Sequence, residues 1–399
     1  MNMTANANGS SYDAVVVGGG PAGATAAHEL ARASRSVLLL DRPGRIKPCG
    51  GAIPPRLIRD FDIPDELIVA RANCARIVSP SSREIDMPIE GGYVGMVDRE
   101  HYDEWLRERA RVAGAERADG RFERLEYLAE GGALVHFTDA ETGASRAVRA
   151  RVVVGADGAN SQVAKQCVPR SDEGVFVAAY HEIVQTPDDP DFDGARCDIH
   201  YRGDLSPDFY SWVFPHGEVM SIGTGTARKG FPIRGAVKTL RAELGLEDGT
   251  IRREGAPIPL KPLPRWEDDR CVVLAGDAAG VVAPASGEGI YYAMVGGQLA
   301  AEAADAFLET GKAKSLRHAR RAFMKAHGRV FWVLGLLQKF WYSSDSRRER
   351  FVTMCDDPDV QYLTWTAYMN KELVKAKPGA HMRIFMRDVG HLLGMVKAT

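Results

Sequence analysis

Runs of apolar residues that end in glycine-rich turns occur at several points along the chain. Residues 12–17 (YDAVVV) form a β-branched run that ends in three glycines, and residues 21–34 follow with helical spacing of small side chains. Residues 37–40 (VLLL), 151–155 (RVVVG) and 271–276 (CVVLAG) have the same apolar character. Segments that are apolar on both faces are typical of central strands in a parallel sheet. The order strand, glycine turn, helix and strand predicts the start of a doubly wound α/β domain.

Residues 175–226 have a different pattern. Four strand-like runs are separated there by proline, aspartate and glycine turns, which favours an antiparallel sheet. From about residue 290 the pattern becomes helical, with many arginine, lysine and aromatic residues. We therefore predict an α/β fold with an α+β second domain and a helical C-terminal region.

Composition and charge exclude several classes of protein. With 399 residues the chain is long enough for two or three domains. Lysine and arginine number 51 against 53 acidic residues, and this balance argues against a nucleic-acid-binding protein. Six scattered cysteines without a CxxC pair are typical of reduced thiols rather than of disulfides or a zinc site, so we expect no metal. The polar N-terminus and the lack of about 18 successive apolar residues predict a cytoplasmic protein, soluble or peripheral to a membrane.

The first glycine-rich turn fits a dinucleotide-binding fingerprint. Residues 18–23 (GGGPAG) match GxGxxG through Gly18, Gly20 and Gly23, which permit a tight turn, close approach of a pyrophosphate and close packing of helix on strand. The pyrophosphate then lies at the positive end of the helix. Asp41 ends the second strand, where a carboxylate accepts hydrogen bonds from the adenosine ribose.

A second glycine-rich region distinguishes FAD from NAD. Gly276 and Asp277 follow an apolar strand, and residues 286–289 (SGEG) then precede a helix. The aspartate can bind the ribityl or pyrophosphate region, and the helix N-terminus can stabilise negative charge on a reduced flavin. Such a second contact suits the longer FAD molecule. The predicted cofactor-binding residues are Gly18, Gly20, Ala22, Gly23, Asp41, Asp157, Gly276, Asp277, Gly287 and Gly289, although a structural role in its turn is the competing interpretation for Asp157.

Together these motifs resemble a known flavoprotein group. GxGxxG, residues 155–158 (GADG) and residues 276–277 (GD) are similar to those of flavoproteins built like the aromatic hydroxylases. Residues 47–54 (KPCGGAIP) and 207–215 (PDFYSWVFP) narrow the resemblance to the geranylgeranyl reductases, because the second fits that family's PxxYxWxFP pattern. Segments such as VDREHYDEWLRERA and ASGEGIYYA resemble the branch of chlorophyll and bacteriochlorophyll synthesis, in particular its bacterial members.

The resemblance implies that the protein reduces a geranylgeranyl chain to phytyl, leaving one double bond. The substrate is then either geranylgeranyl diphosphate or geranylgeranyl-bacteriochlorophyll. No second nucleotide fingerprint is present, so the electron donor is either transiently bound NADPH or reduced ferredoxin. The competing interpretation is a flavin-dependent monooxygenase of an isoprenoid or aromatic substrate, and only the CGG and YxWxFP segments favour reduction.

An isolated trisubstituted alkene has no carbonyl to accept a developing negative charge. We therefore expect a proton to reach the less substituted carbon while hydride reaches the tertiary carbon, which bears positive charge. Aromatic faces stabilise such charge. Tyr210, Trp212 and Phe214 alternate along one strand, so we place Tyr210 and Trp212 in catalysis and Phe214 in the prenyl tunnel; an apolar core is the alternative.

Cys49 lies in a loop rich in glycine and proline. By resemblance this motif lies at the flavin, and we predict substrate contacts at Gly50 and Gly51 because glycines allow close approach. The Cys49 thiol can donate a proton or fix a water molecule. The alternative is a small apolar residue in a tight turn. His181, His200 and His216 share no metal-ligand spacing and receive no role.

A cluster of apolar and aromatic residues near the C-terminus is flanked by cations. Residues 330–342 lie between Arg329 and the basic run 347–350, a pattern that suits either an interfacial helix or a helix packed on the core. Because the expected substrate is a membrane lipid, we predict peripheral contact with the photosynthetic (inner) membrane. The expected FAD-binding domain comprises 12–75, 96–170 and 265–310, the substrate domain 76–95 and 171–264, and the helical region 311–399.

Overall fold

The computed structural model describes residues 10–44, 46–190 and 192–371. The strands are β1 Ser11–Val17, β2 Val37–Asp41, β3 Ala52–Ile53, β4 Ile68–Ala72, β5 Cys74–Val78, β6 Glu84–Pro88, β7 Val94–Val97, β8 Glu116–Tyr127, β9 Ala133–Asp139, β10 Ser145–Gly155, β11 Phe176–Gln185, β12 Arg196–His200, β13 Ser211–His216, β14 Val219–Thr226, β15 Thr250–Pro259 and β16 Val272–Leu274. The α-helices are α1 Pro21–Arg32, α2 Pro55–Asp60, α3 Arg99–Val112, α4 Gln162–Cys167, α5 Ile233–Glu243, α6 Ile290–Thr310, α7 His318–Trp341, α8 Asp345–Met354 and α9 Pro358–Asn370.

The described chain folds as two compact units, and each is built from several segments. The first contains Met1–Lys47 as far as it is described, Arg99–Phe176 and Pro257–Arg329. The second contains Pro48–Asp98, Val177–Ala256 and the described part of Val330–Thr399. The domain boundaries expected from the sequence stay a prediction.

The first unit is built on a six-stranded sheet with a parallel centre. β1 lies between β2 and β10 and is parallel to both, while β16 continues the parallel set beside β10. β8 is parallel to β2, and β9 joins β8 and β10 as an antiparallel strand. Residues 14–16 of β1 have no exposed surface, as expected for a central strand covered on both faces.

Small residues allow two helices of this unit to approach closely. α1 begins at Pro21, which suits a first helical position because proline has no N–H to leave unpaired. A Cβ atom at Gly297 of α6 would lie 2.3 Å from the carbonyl oxygen of Ala22, so only glycine fits at this point. The buried alanines of α1 extend the same close packing.

The second unit is built on a seven-stranded sheet in the order β15-β11-β14-β13-β12-β5-β6. The four strands predicted within residues 175–226 are β11 to β14. From β11 to β6 in this order, neighbours are antiparallel, except that β12 and β5 are parallel. The sheet is therefore mixed at this one pair, which the sequence pattern did not indicate. A small sheet of β3, β7 and β4 completes the unit.

One face of the larger sheet is covered by α5. Val213, Met220 and Ile222 of the strands pack with Val237 and Leu240 of the helix, and all five are buried. Alternate residues on β11 and β13 point to the opposite face, because side chains alternate across a strand.

The end of the described chain is helical, as predicted. α7, α8 and α9 follow one another, and residues 372–399 of the predicted helical region lie outside the described residues. Buried Arg348 of α8 donates to the carbonyl oxygens of Pro207 and Tyr342, which fixes α8 within the second unit. Among the residues that the structure describes, no helix is both long and apolar enough to cross a bilayer.

Candidate functional site

The turn between β1 and α1 has the geometry that a dinucleotide needs. Gly18 has a φ of +106°, and a Cβ atom at Gly23 would lie 1.8 Å from the Gly18 carbonyl oxygen. A Cβ atom at Gly20 would have open space within 4 Å, so the chain leaves room at the start of α1. The glycines thus permit the tight turn and the close packing, and they leave space for a pyrophosphate at the helix N-terminus.

A cavity of about 430 Å³ lies beside Asp41 at the carboxyl end of β2. Its wall includes Arg107, whose Nη1 lies 3.3 Å from Asp41 Oδ2 and donates to the Gly19 carbonyl oxygen at 3.3 Å. Arg117 and Glu104 also line the cavity and form an ion pair of 2.7 Å. The carboxylate and the space beside it fit an adenosine ribose. Sequence reasoning missed Arg107, which lies in the VDREHYDEWLRERA segment that carried the family resemblance.

A lysine links the two later glycine motifs of the first unit. Lys47 forms an ion pair with Asp277, and a Cβ atom at Gly158 would lie 3.9 Å from Lys47 Nζ. Gly276 has a φ of +62°, which suits the sharp turn before Asp277. Lys47 therefore adds a positive charge to the region where the pyrophosphate or the ribityl chain of FAD is expected. In the sequence analysis this lysine is only one residue of the KPCGGAIP motif, and no role was predicted for it.

Asp157 caps a helix. Its carboxylate accepts hydrogen bonds from Gln162 N at 2.6 Å and Val163 N at 3.2 Å at the start of α4, and also from the Ser161 hydroxyl. Burial raises the pKa of this carboxyl group. These bonds account for the residue structurally, and its role at the cofactor stays a prediction.

The turn before α6 is closed by its own backbone. Gly287 has a φ of +65° and donates to the Ala283 carbonyl oxygen at 3.0 Å, and Gly289 immediately precedes the helix. Glu288 Oε1 accepts from Tyr291 N at 2.9 Å. The positive end of the 21-residue helix is thus held by a defined turn, which suits stabilisation of negative charge on a flavin.

In the second unit, the Cys49 loop packs directly on strand β13. A Cβ atom at Gly50 would lie 3.0 Å from the Phe214 ring, and one at Gly51 would lie 2.5 Å from His216 Cε1. Gly51 has a φ of +72°, and its N–H donates to Cys49 Sγ at 3.4 Å. His216 Nε2 lies 3.1 Å from the Gly50 carbonyl oxygen. The two motifs typical of the reductases therefore meet. Glycine is required at Gly51, whereas a side chain at Gly50 would require the Phe214 ring to shift slightly.

Tyr210, Trp212 and Phe214 form a row of neighbouring rings. The ring centroids of Tyr210 and Trp212 are 6.0 Å apart, and those of Trp212 and Phe214 are 6.2 Å apart. Tyr210 and Trp212 are 8% and 6% exposed. Burial raises the pKa of the Tyr210 phenol, so this ring is neutral at physiological pH. The row provides the aromatic face that was expected from the alternation.

Two of the histidines without a predicted role contact this region. His216 binds the Cys49 loop, and His181 lies 6.3 Å from the Trp212 ring, centroid to centroid. His200 is buried elsewhere in the sheet. Within the part of the chain that the structure describes, no group of three or more histidine, cysteine or acidic residues could hold a metal ion.

The chain is similar to known proteins over most of its length. A sequence model of the family described as Lycopene cyclase protein matches residues 13–373. The geranylgeranyl diphosphate reductase of Rhodobacter capsulatus is 56% identical over 387 residues, which cover 96% of this chain and 98% of that protein.

Two solved structures show the fold. A geranylgeranyl bacteriochlorophyll reductase-like protein of Thermoplasma acidophilum superposes with a TM-score of 0.80 at 23% identity, covering 92% of this chain and 98% of the other. A flavin-dependent brominase superposes with a TM-score of 0.73 at 18% identity, covering 96% of this chain and 100% of the other. The fold is that of flavin-dependent enzymes, and the predicted fold class is confirmed.

Proposed function

Since this chain belongs to the geranylgeranyl reductase family, we propose that it uses FAD to reduce a geranylgeranyl chain stepwise to phytyl. Its substrate is a geranylgeranyl diphosphate or a geranylgeranyl ester of a chlorophyll-type pigment. The identity of 56% over nearly the whole length of a protein named as such a reductase supports this proposal. The observation that carries it is the packing of the Cys49 loop on β13, which bears Trp212 and Phe214 and directly follows Tyr210.

Each step adds one hydride and one proton across a carbon–carbon double bond. Bound FAD, once reduced by two electrons from NADPH or reduced ferredoxin, supplies the hydride. The glycine turns, Asp41, Lys47 and Asp277 bind the cofactor in this proposal, and Arg107 completes the adenosine end. Because the proton is added to the less substituted carbon, positive charge develops at the tertiary carbon.

The aromatic row has the properties needed to stabilise that charge. Cation–π attraction contributes about 2 kcal/mol or more when both partners are desolvated, and Trp212 is almost fully buried. The neutral phenol of Tyr210 and the ring of Phe214 extend the apolar face along the path of an isoprenoid chain. The Cys49 thiol is the proposed proton donor, and the resulting thiolate regains its proton from water.

Peripheral membrane attachment through α7 is part of the proposal. Trp332 and Leu336 lie one helical turn apart and are 69% and 54% exposed, and Leu337 is 39% exposed. Lys339 is exposed on the same segment. Large apolar side chains beside a cation suit the interface of an anionic lipid bilayer, where the isoprenoid substrate is found.

The proposal is tested by anaerobic incubation of the FAD-loaded protein with dithionite. Geranylgeranyl-bacteriochlorophyll and geranylgeranyl diphosphate are supplied separately, and products are followed by mass. We expect mass to increase by successive hydrogen pairs, up to three, on one of the two substrates. That result identifies the preferred substrate, and replacing dithionite by NADPH or by reduced ferredoxin then identifies the donor.

Two other results would contradict the proposal. Oxygen incorporation after air and NADPH are restored, without any anaerobic reduction, would indicate a monooxygenase. A product of unchanged mass but altered mobility would indicate cyclisation, the reaction named by the matched family model.

A further inference from the structure

A chain of hydrogen bonds leads from Trp212 to a carboxylate inside the second unit. The indole N–H of Trp212 donates to Ser221 Oγ at 3.1 Å, and Ser221 Oγ lies 2.9 Å from His181 Nδ1. His181 Nε2 lies 3.1 Å from Glu254 Oε2. Ser221 has no exposed surface, and the side chains of His181 and Glu254 are 4% and 12% exposed. The four residues come from four different strands, β13, β14, β11 and β15.

The direction of each bond follows from the chemistry of the groups. An indole nitrogen only donates, so Ser221 Oγ accepts from it. A carboxylate oxygen only accepts, so we assign the single imidazole proton to His181 Nε2, which donates to Glu254, and Nδ1 then accepts from the Ser221 hydroxyl. Arg252 Nε lies 2.5 Å from the other Glu254 oxygen and forms an ion pair with this carboxylate.

The backbone of β14 also holds the indole ring in place. Trp212 is paired with Gly223 of β14, and a Cβ atom at Gly223 would lie 2.3 Å from Trp212 Cζ2 and 2.6 Å from His181 Cβ. Only glycine leaves space for the ring to lie against β14 in this way. The ring plane is thus fixed by the glycine, and its rotation is fixed by the bond to Ser221.

We propose that Ser221, His181 and Glu254 are positioning residues that orient and polarise the Trp212 indole. This inference rests on the proposed function, in which the indole faces the carbon that develops positive charge. A donor N–H bonded to a chain that ends in a carboxylate moves electron density towards the ring, because hydrogen bonds in series polarise one another. A ring with more electron density attracts a cation more strongly.

The same geometry excludes a role in proton delivery. A proton that moved from Glu254 through His181 would reach Ser221, which is enclosed, and then the indole nitrogen, which does not act as an acid near neutral pH. The chain therefore acts on the ring and not on the alkene. The polarised ring stabilises the charged transition state but not the neutral bound substrate. Loss of the hydrogen-bonded chain should therefore lower kcat and leave KM almost unchanged.

Three variants separate orientation from polarisation. Ser221→Ala removes the acceptor of the indole N–H, and we expect kcat to fall about ten-fold with KM changed less than about two-fold. His181→Asn keeps an acceptor for Ser221 but loses the link to Glu254. Glu254→Gln keeps an oxygen acceptor for His181 and removes only the charge, so we expect a smaller fall of about three-fold.

Glu182→Gln is the matched control. Glu182 lies on β11 beside His181 but points to the other face, where it accepts from the Tyr180 hydroxyl at 2.7 Å and from Arg241. This variant breaks a buried ion pair of the same strand without touching Trp212. We expect it to lower the free energy of unfolding and to leave kcat unchanged.

A second measurement does not depend on activity. The Nε1–H resonance of Trp212, assigned by its loss in Trp212→Phe, should move upfield in Ser221→Ala and stay in place in Glu182→Gln. An unchanged resonance in Ser221→Ala, an unchanged kcat in that variant, or an equal fall of kcat in Glu182→Gln would each overturn the inference. The wild-type protein could fail to reduce the prenyl substrate while the resonance still moves as expected in Ser221→Ala. This result would overturn the proposed function but would confirm the hydrogen bond between Trp212 and Ser221.

Discussion

Substitution of Trp212 is the most direct test of the proposed chemistry. Truncation to alanine removes a buried π-face that contributes about 2 kcal/mol, so we expect Trp212→Ala to lower chain reduction about 30-fold. Trp212→Phe keeps a weaker face and should lose less. Product mass gives the rate, and flavin absorbance shows whether FAD is retained. Trp266→Phe, at a buried indole of the first unit, is the control, and full turnover by Trp212→Ala would remove the assignment.

The thiol of Cys49 distinguishes a proton donor from a small residue in a tight turn. If it donates the proton, Cys49→Ala should lower the rate by about 100-fold, and Cys49→Ser should recover part of it because a hydroxyl also donates. Cys74→Ala removes another half-buried thiol of the same unit and should keep the rate. The rates are compared under anaerobic single-turnover conditions. Equal activity of the Cys49→Ala and wild-type proteins would favour the structural interpretation.

His200 makes the stability of the second unit sensitive to acid. In the described chain neither ring nitrogen has a hydrogen-bond partner, and burial lowers the pKa of His200 to about 4. The unfolded chain, with a histidine pKa of about 6.5, then binds more protons between pH 6.5 and 4, so stability falls as the pH falls through this range.

Urea unfolding measures this effect. We expect His200 to lower the free energy of unfolding by about 2 kcal/mol between pH 7 and pH 5, and His200→Leu should lose this part of the slope. His318→Gln, at an exposed histidine of α7, should keep the slope. An identical slope in wild type and His200→Leu would contradict the assignment.

At the residue level, the sequence indicated candidate site residues only where a motif is local, and their roles stay predictions. The turn at 18–23, Asp41 and the alternating aromatic residues could be recognised because each lies within a few positions of its neighbours. His181 contacts Ser221, 40 positions away, and His216 contacts Gly50, 166 positions away. Sequence periodicity does not predict contacts between residues so far apart in the chain. The same reason explains why Lys47 and Arg107 received no role.

At the scale of elements, the strands were visible but not all of their partners. Apolar and strand-like runs indicated β1, β2 and β11 to β14, since apolar periodicity depends on local sequence. The parallel pairing of β5 with β12 joins residues more than 120 positions apart, and strand order depends on packing that a single run does not encode. The hairpin of β8 and β9 was not predicted either. Many of its residues are polar and exposed, so the alternation of apolar and polar residues is weak there.

The exposed segment of α7 provides a test at this scale. We expect wild-type protein to sediment with vesicles that contain anionic lipid at low salt, and the double variant Trp332→Ala/Leu336→Ala to bind at least about ten-fold more weakly. Val112→Ala, at a residue of α3 that is 74% exposed, is the matched control. Equal binding of the double variant and the wild type would contradict membrane attachment through these side chains.

At the scale of the whole molecule, fold and reaction are separate questions. The chain shares its architecture with a brominase at only 18% identity, so the sheet and the glycine turns specify a flavin site and not a reaction. In our proposal the reaction depends on features of the second unit, namely the Cys49 loop, the aromatic row and the hydrogen-bonded chain from Trp212 to Glu254. This is why the sequence predicted the cofactor from general rules but needed a family resemblance to predict the substrate.

Cofactor binding couples this site to the stability of the protein. A ligand that binds only the folded state stabilises it, by about 2.7 kcal/mol at 100 times its Kd, so added FAD should raise the melting temperature of the apoprotein. Gly23→Ala places a methyl group 1.8 Å from the Gly18 carbonyl oxygen, which distorts the turn and should abolish the increase. Gly235→Ala adds a methyl group to α5 whose nearest neighbour is 3.8 Å away, so this variant should melt at least as high as wild type and keep the full response to FAD. If Gly23→Ala kept that response, the cofactor would have to bind away from the turn between β1 and α1, and the proposed roles of Asp41, Lys47 and Arg107 would fall with it.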